Sequence, residues 1–137
     1  MSSDAVLRRI SDFHGHIGPF VVIGYRMGLV ANKLLGVDPF AKTAVAFTGG
    51  KPPRSCLVDG IQLSSGCTLG KGNIDVVDLG EVAALFESKA GDRRVKVTLQ
   101  AKLLETISAT PSERLESLAR DFYSLSDDDL FEVSDES

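Results

Sequence analysis

The stretch from Pro19 to Leu35 constrains this chain more than any other, because it reads as one buried helix with two glycines set into it. Pro19 suits the first helical position, Gly36 closes the pattern, and Phe20, Ile23, Met27, Val30 and Leu34 form an apolar stripe. Gly24 and Gly28 interrupt it, each costing a helix interior about 1 kcal/mol relative to alanine. Placed four apart, they clear one face for the close approach of another backbone. A second copy of the chain, or another helix packed on this one, is the expected occupant.

Around this helix the other elements follow from periodicity. Val6, Leu7, Ile10 and Phe13 predict an amphipathic helix over residues 4–13. Lys42 to Thr48 is a buried strand, Cys56 to about Leu63 a short helix behind Ser55, and Ile74 to Leu79 a strand. Arg93 to Gln100 alternates, with Val95, Val97 and Leu99 on one side and Arg94, Lys96 and Thr98 on the other, and it pairs with 81–87 as a hairpin across Ser88–Asp92. Thr110-Pro111-Ser112-Glu113 has the form of a capping box opening a helix with Leu115, Leu118 and Phe122 inward.

Charge divides the chain unevenly. Seven acids and no base lie between Asp121 and Ser137, leaving the first 120 residues at net +3, with fifteen bases against twelve acids. The expected organisation is a core domain over 1–126 and an acidic C-terminal tail over 127–137, removable with little loss of stability. A mildly basic body without an aromatic-basic motif argues against a nucleic-acid partner but permits an anionic small molecule. No apolar run reaches the ~20 residues of a membrane span, and Met1-Ser2-Ser3-Asp4 has no leader character, so no membrane partner and a cytoplasmic location are expected. The two cysteines are then reduced thiols. With 137 residues a sufficient core is available, so any metal would be functional rather than a staple.

Four residues of soft-ligand type, His14, His16, Cys56 and Cys67, fall among loop and helix junctions in the first half. His14 and His16 flank a glycine, and in an extended stretch both rings turn to one side. Two imidazoles and a thiolate are a good zinc set, with an open position for water or ligand. The alternative is two loop histidines bonded to backbone or water. Cys56 at a helix start has a favoured thiolate, with Asp59 and Gln62 near one face; the alternative is a small buried hydrophobe. Cys67 reads as packing or as support for a ligand. Gly70-Lys71-Gly72-Asn73 could form a nest that binds an anionic cofactor through Lys71 and Asn73, or an ordinary turn.

Taken together, Phe13-His14-Gly15-His16, Pro19 with Gly24-Tyr25-Arg26-Met27, Cys56-Leu57-Val58-Asp59-Gly60-Ile61-Gln62 and Gly66-Cys67-Thr68-Leu69-Gly70-Lys71-Gly72-Asn73 resemble the formylmethanofuran dehydrogenase FmdE family. The resemblance runs from about residue 10 to Val133 and lacks the C-terminal zinc finger of many members. It implies an α+β fold with helices on a largely antiparallel sheet in a single domain. It also implies a homodimer and a metal cleft near the His-Gly-His and Cys-x-x-Asp blocks. It further implies association with the other chains of formylmethanofuran dehydrogenase, the molybdenum or tungsten enzyme of CO2 reduction in methanogenesis. Many relatives have Cys-Pro-Gly where this chain has Gly18-Pro19-Phe20, which leaves His14, His16 and Cys56 as the carried-over ligands.

Three functions are consistent with these residues: a metal-binding accessory protein, a scaffold without metal, and a small enzyme. In the enzyme, a divalent metal, zinc by preference, sits on His14, His16 and Cys56, with Cys56 and Asp59 in the catalytic roles and Lys71 holding the anionic substrate.

Overall fold

Why the Pro19–Leu35 helix tolerates its glycines is answered by what lies on them. A computed structural model describes residues 2–137; Met1, part of the start of the chain read above, lies outside them. The chain runs α1 (Ser3–His14), α2 (Pro19–Leu35), β1 (Lys42–Ala46), α3 (Cys56–Ser65), β2 (Ile74–Val76), β3 (Ala83–Ser88) and β4 (Arg94–Leu99). It continues through α4 (Ala101–Ala109), a 3-10 turn (Ser112–Arg114), α5 (Leu115–Ser124), α6 (Asp127–Leu130) and β5 (Phe131–Asp135). A Cβ on Gly24 would strike the Leu57 carbonyl, one on Gly28 would strike Ser64, and one on Gly60 would strike the Val21 carbonyl and the Tyr25 N–H. The glycines thus seat α3 on α2 inside one chain. Of the two occupants expected on this face, the second copy is displaced by α3, because the two helices meet at backbone distance and leave it no room.

The sheet has the order β2-β1-β3-β4-β5 and is antiparallel except for the β1–β2 pair. The fold is therefore α+β, with helices on a largely antiparallel sheet in a single domain. One face of the sheet, carrying Ala44, Ala46, Phe86, Val95 and Val97, is wholly buried with α2 residues such as Ile23 and Met27 in one apolar core. Alternation along β4 does what its sequence requires: Val95, Val97 and Leu99 are buried while Arg94 is exposed.

Two segments differ from the reading of the sequence. Residues 127–137 do not form a tail: Leu130 and Phe131 are buried, and β5 pairs with β4 from Leu99↔Phe131 to Val95↔Asp135. Asp127 accepts from the Arg26 guanidinium at 2.9 Å and from Lys33 at 2.7 Å, so the acids that resist burial are either paired or turned to solvent on an edge strand. Residues 101–109, which carry no start signal, form α4 directly after β4. Thr110 closes α4 by donating to the Thr106 carbonyl at 2.6 Å instead of capping the next helix, and the 3-10 turn precedes α5. Among the described residues no helix is long and apolar enough to cross a membrane.

Candidate functional site

The His-Gly-His block joins α1 to α2 through a tight reversal. His14 ends α1, and Gly15 takes a left-handed conformation at φ 102°, its N–H donating to the Ser11 carbonyl at 2.7 Å. His16 then lies against Gly18, where a Cβ would crowd its ring. The histidines come together by this reversal rather than by the extended stretch expected, and their ring centroids stand 4.8 Å apart at 41°. Gly15 is therefore required by its backbone conformation and Gly18 by the nearness of the His16 ring.

Asp59, in the first turn of α3, reaches His14. Its Oδ2 lies 2.6 Å from His14 Nδ1. A carboxylate accepts, so in the neutral ring the proton sits on Nδ1 and the lone pair on Nε2. That Nε2 is buried and has no hydrogen-bond partner among the described residues. A buried polar atom without a partner carries a cost of about 1–3 kcal/mol, which makes it a position built for something else to meet. Gln62 extends the relay: its Nε2 approaches Asp59 Oδ1 at 3.4 Å, and its Oε1 accepts from the Leu69 N–H at 2.9 Å. In this way the Gly66–Asn73 loop supports the histidine from behind.

Cys56 opens α3 and borders the same cavity as His14 and His16. Burial pushes its thiol up, the nearby Asp59 carboxylate pushes it further, and the backbone N–H groups of the helix start pull only partly the other way. The thiolate expected from the helix start is thus opposed by its surroundings. The cavity, about 590 Å³, is also lined by Leu104, Ile107 and Ser108 of α4 and by Ser112, Leu115 and Glu116 beyond it. Arg54 stands at its rim. Neither the α4–α5 wall nor Arg54 carries a motif; only a helix forecast over 101–109 could have found the wall.

The remaining predicted site residues lie elsewhere. Lys71 is exposed, donates to Thr68 Oγ1 at 3.0 Å and lies over the Phe40 ring. Asn73 is buried, but its side chain is spent on the Thr68 N–H and on the Pro39 and Lys42 carbonyls. Neither borders the cavity with His14 and Cys56. Cys67 is wholly buried, its thiol 3.6 Å from the Lys42 carbonyl, as packing requires.

As a metal site the arrangement is half built. Its donors suit zinc, and Asp59 orients His14 as a carboxylate orients a metal-binding imidazole. Yet among the described residues no three His, Cys, Asp or Glu side chains stand close enough to hold an ion.

Comparison with known proteins places this geometry. The chain is similar to a probable S-adenosyl-L-methionine-binding protein of Archaeoglobus fulgidus, 36% identical over 99 residues that cover 71% of this chain. The chain spans 27% of that relative's length. The fold resembles the crystal structure of a tungsten formylmethanofuran dehydrogenase FmdE-like protein from Syntrophus aciditrophicus, with a TM-score of 0.73 and 27% identity over 98% of this chain and 72% of the other. The family model described as FmdE, molybdenum formylmethanofuran dehydrogenase operon, matches residues 13–132, from the residue before the first histidine to the start of β5, and the chain belongs to that family.

Proposed function

We propose that this FmdE-family protein is an accessory protein that binds one divalent metal, zinc by preference, through His14, His16 and Cys56 and serves a formylmethanofuran dehydrogenase or a related metalloenzyme. The observation that carries the reading is the His14 imidazole, fixed by Asp59 at 2.6 Å and left with a buried, unpartnered Nε2. His16 and Cys56 border the same cavity. A bound divalent ion supplies Lewis acidity to an oxygen of whatever enters the cavity. Asp59 holds the His14 tautomer, and Leu104, Ile107 and Leu115 supply an apolar part of the cavity wall. In this reading the protein works in the cytoplasm as a homodimer, whose contact must lie away from the Gly24–Gly28 face already filled by α3.

Metal analysis of protein purified without chelator or histidine tag tests this directly. About one equivalent per chain is expected, and His16→Ala and Cys56→Ser should each lower occupancy at least about tenfold. Equal retention in the wild type and both variants would defeat the proposal.

The size of the cavity favours a second reading, a small metal-dependent enzyme acting on an anionic small molecule, with Cys56 beside the substrate and Asp59 acting through His14. S-adenosyl-L-methionine is one ligand to try, given the Archaeoglobus fulgidus relative. Turnover of a one-carbon or pterin-related substrate by the isolated chain would favour the enzyme over the accessory protein.

A further inference from the structure

Cavity walls and charges together say more about the occupant than the metal donors do. Arg54 Nη1 donates to the Gly80 carbonyl at 3.0 Å, which fixes the guanidinium while leaving most of its five N–H donors free. No acid within ion-pair distance answers it among the described residues. Together with Leu104 and Ser108, Arg54 borders both the cavity and the depression next to it, so it stands at one mouth. At another edge of the cavity, shared with a different depression, is Glu116, whose charge is answered by Arg120 at 3.3 Å. The apolar part of the wall is formed by residues such as Ile17, Phe20, Ile107 and Leu115.

We propose that the cavity takes an anion carried on an apolar body, and that Arg54 is the residue that reads the anion. A fixed guanidinium with spare parallel donors suits a carboxylate or phosphate in two-point contact. A cavity of about 590 Å³ is within the usual size for a small ligand, and Ile17, Phe20, Leu104, Ile107 and Leu115 give it apolar surface for a ring system. His14 Nε2, buried and unpartnered, gives such a ligand a polar group to meet inside. Arg54 thereby takes the role expected of Lys71, whose ammonium is engaged over Phe40 away from the cavity. The proposal rests on the reading above that this cavity is the functional site, and is independent of the metal.

Titration of 1-naphthoate and its neutral isostere 1-naphthamide into the full chain, with and without prior chelation, tests it. Naphthoate should bind saturably at one site, at least about tenfold more tightly than the amide. Arg54→Gln, which keeps a donor for the Gly80 carbonyl, should bring the two ligands within about twofold, while Lys71→Gln should leave the preference intact. Leu104→Trp, which fills the mouth, should weaken both. Failure of naphthoate to saturate at millimolar concentration, or a preference that survives Arg54→Gln, overturns the assignment. Metal content is read on the same samples. An Arg54-dependent preference in protein that never holds metal sinks the metal reading alone, and full metal with an Arg54-independent preference sinks this one alone.

Discussion

The seam between α2 and α3 and the cavity between the His-Gly-His turn and α4 lie side by side and obey opposite rules. At the seam backbone packing leaves no space for a further atom, although Asn32 Oδ1 is buried there without a hydrogen-bond partner among the described residues. Three glycines allow backbone to touch backbone, and one added carbon at Gly24 or Gly60 meets a peptide group. At the cavity, groups are left over: an imidazole nitrogen with no partner, a guanidinium with donors to spare, and space for a ligand. Both are built on α3, whose Gly60 face closes the seam and whose Cys56 and Asp59 face the histidines. The rigid contact is what allows the loose one to stay open, since a cavity persists only where its walls are held by packing elsewhere.

The widest test of this contrast is removal of everything after Ser126. Loss of the buried Leu130 and Phe131 should cost about 3–6 kcal/mol, and β4 is left as a bare edge besides, so urea unfolding should show a large loss or no cooperative transition. A truncated chain of near wild-type stability would mean that α6 and β5 only decorate the sheet. Next is the seam itself. Gly60→Leu should destabilise by at least about 3 kcal/mol, because neither the Val21 carbonyl nor the Tyr25 N–H can move without unwinding α2. His16→Ala, on the cavity side and exposed, should stay within about 0.5 kcal/mol. Equal costs at the two positions would dissolve the distinction.

The smallest effect is electrostatic. Burial works against the Asp127 charge, but hydrogen bonds and attraction from Lys33 and Arg26 outweigh it and hold the carboxyl below its usual 3.8. Its contribution is therefore present above that ordinary value and is lost as pH falls through the lower folded-state one. In urea titrations, Asp127→Asn should lower stability at neutral pH and reduce the fall on acidification below about pH 3.8; parallel curves for variant and wild type would refute this.

Elements whose limits are set locally were legible from the chain. Pro19 and Gly36 mark α2 to the residue, and strict alternation marks β4 within one residue. The glycine spacing announced a close contact but not its partner, since nothing along α2 says whether the facing helix belongs to the same chain. Helix α4 escaped because Gln100 starts it without a side-chain cap. Composition misled over 127–137, where the decisive fact is that a buried Arg26, a hundred residues earlier, awaits Asp127. Within the site, His14, His16, Cys56 and Asp59 could be read from neighbouring residues. Arg54 could not, because its importance lies in the carbonyl and the wall it faces rather than in its sequence neighbours.

The position of β5 has a consequence for how the protein is made. Synthesis delivers β4 more than thirty residues before its outer partner, so the growing chain holds a strand, carrying Val95, Val97 and Leu99, that is paired with β3 on one side and open on the other until Phe131–Asp135 leaves the ribosome. An open apolar strand is the kind of intermediate that recruits a neighbouring chain. The acids Glu132, Asp135 and Glu136 arrive with the strand that ends this exposure, and they give the new border of the sheet a charge that repels further strands.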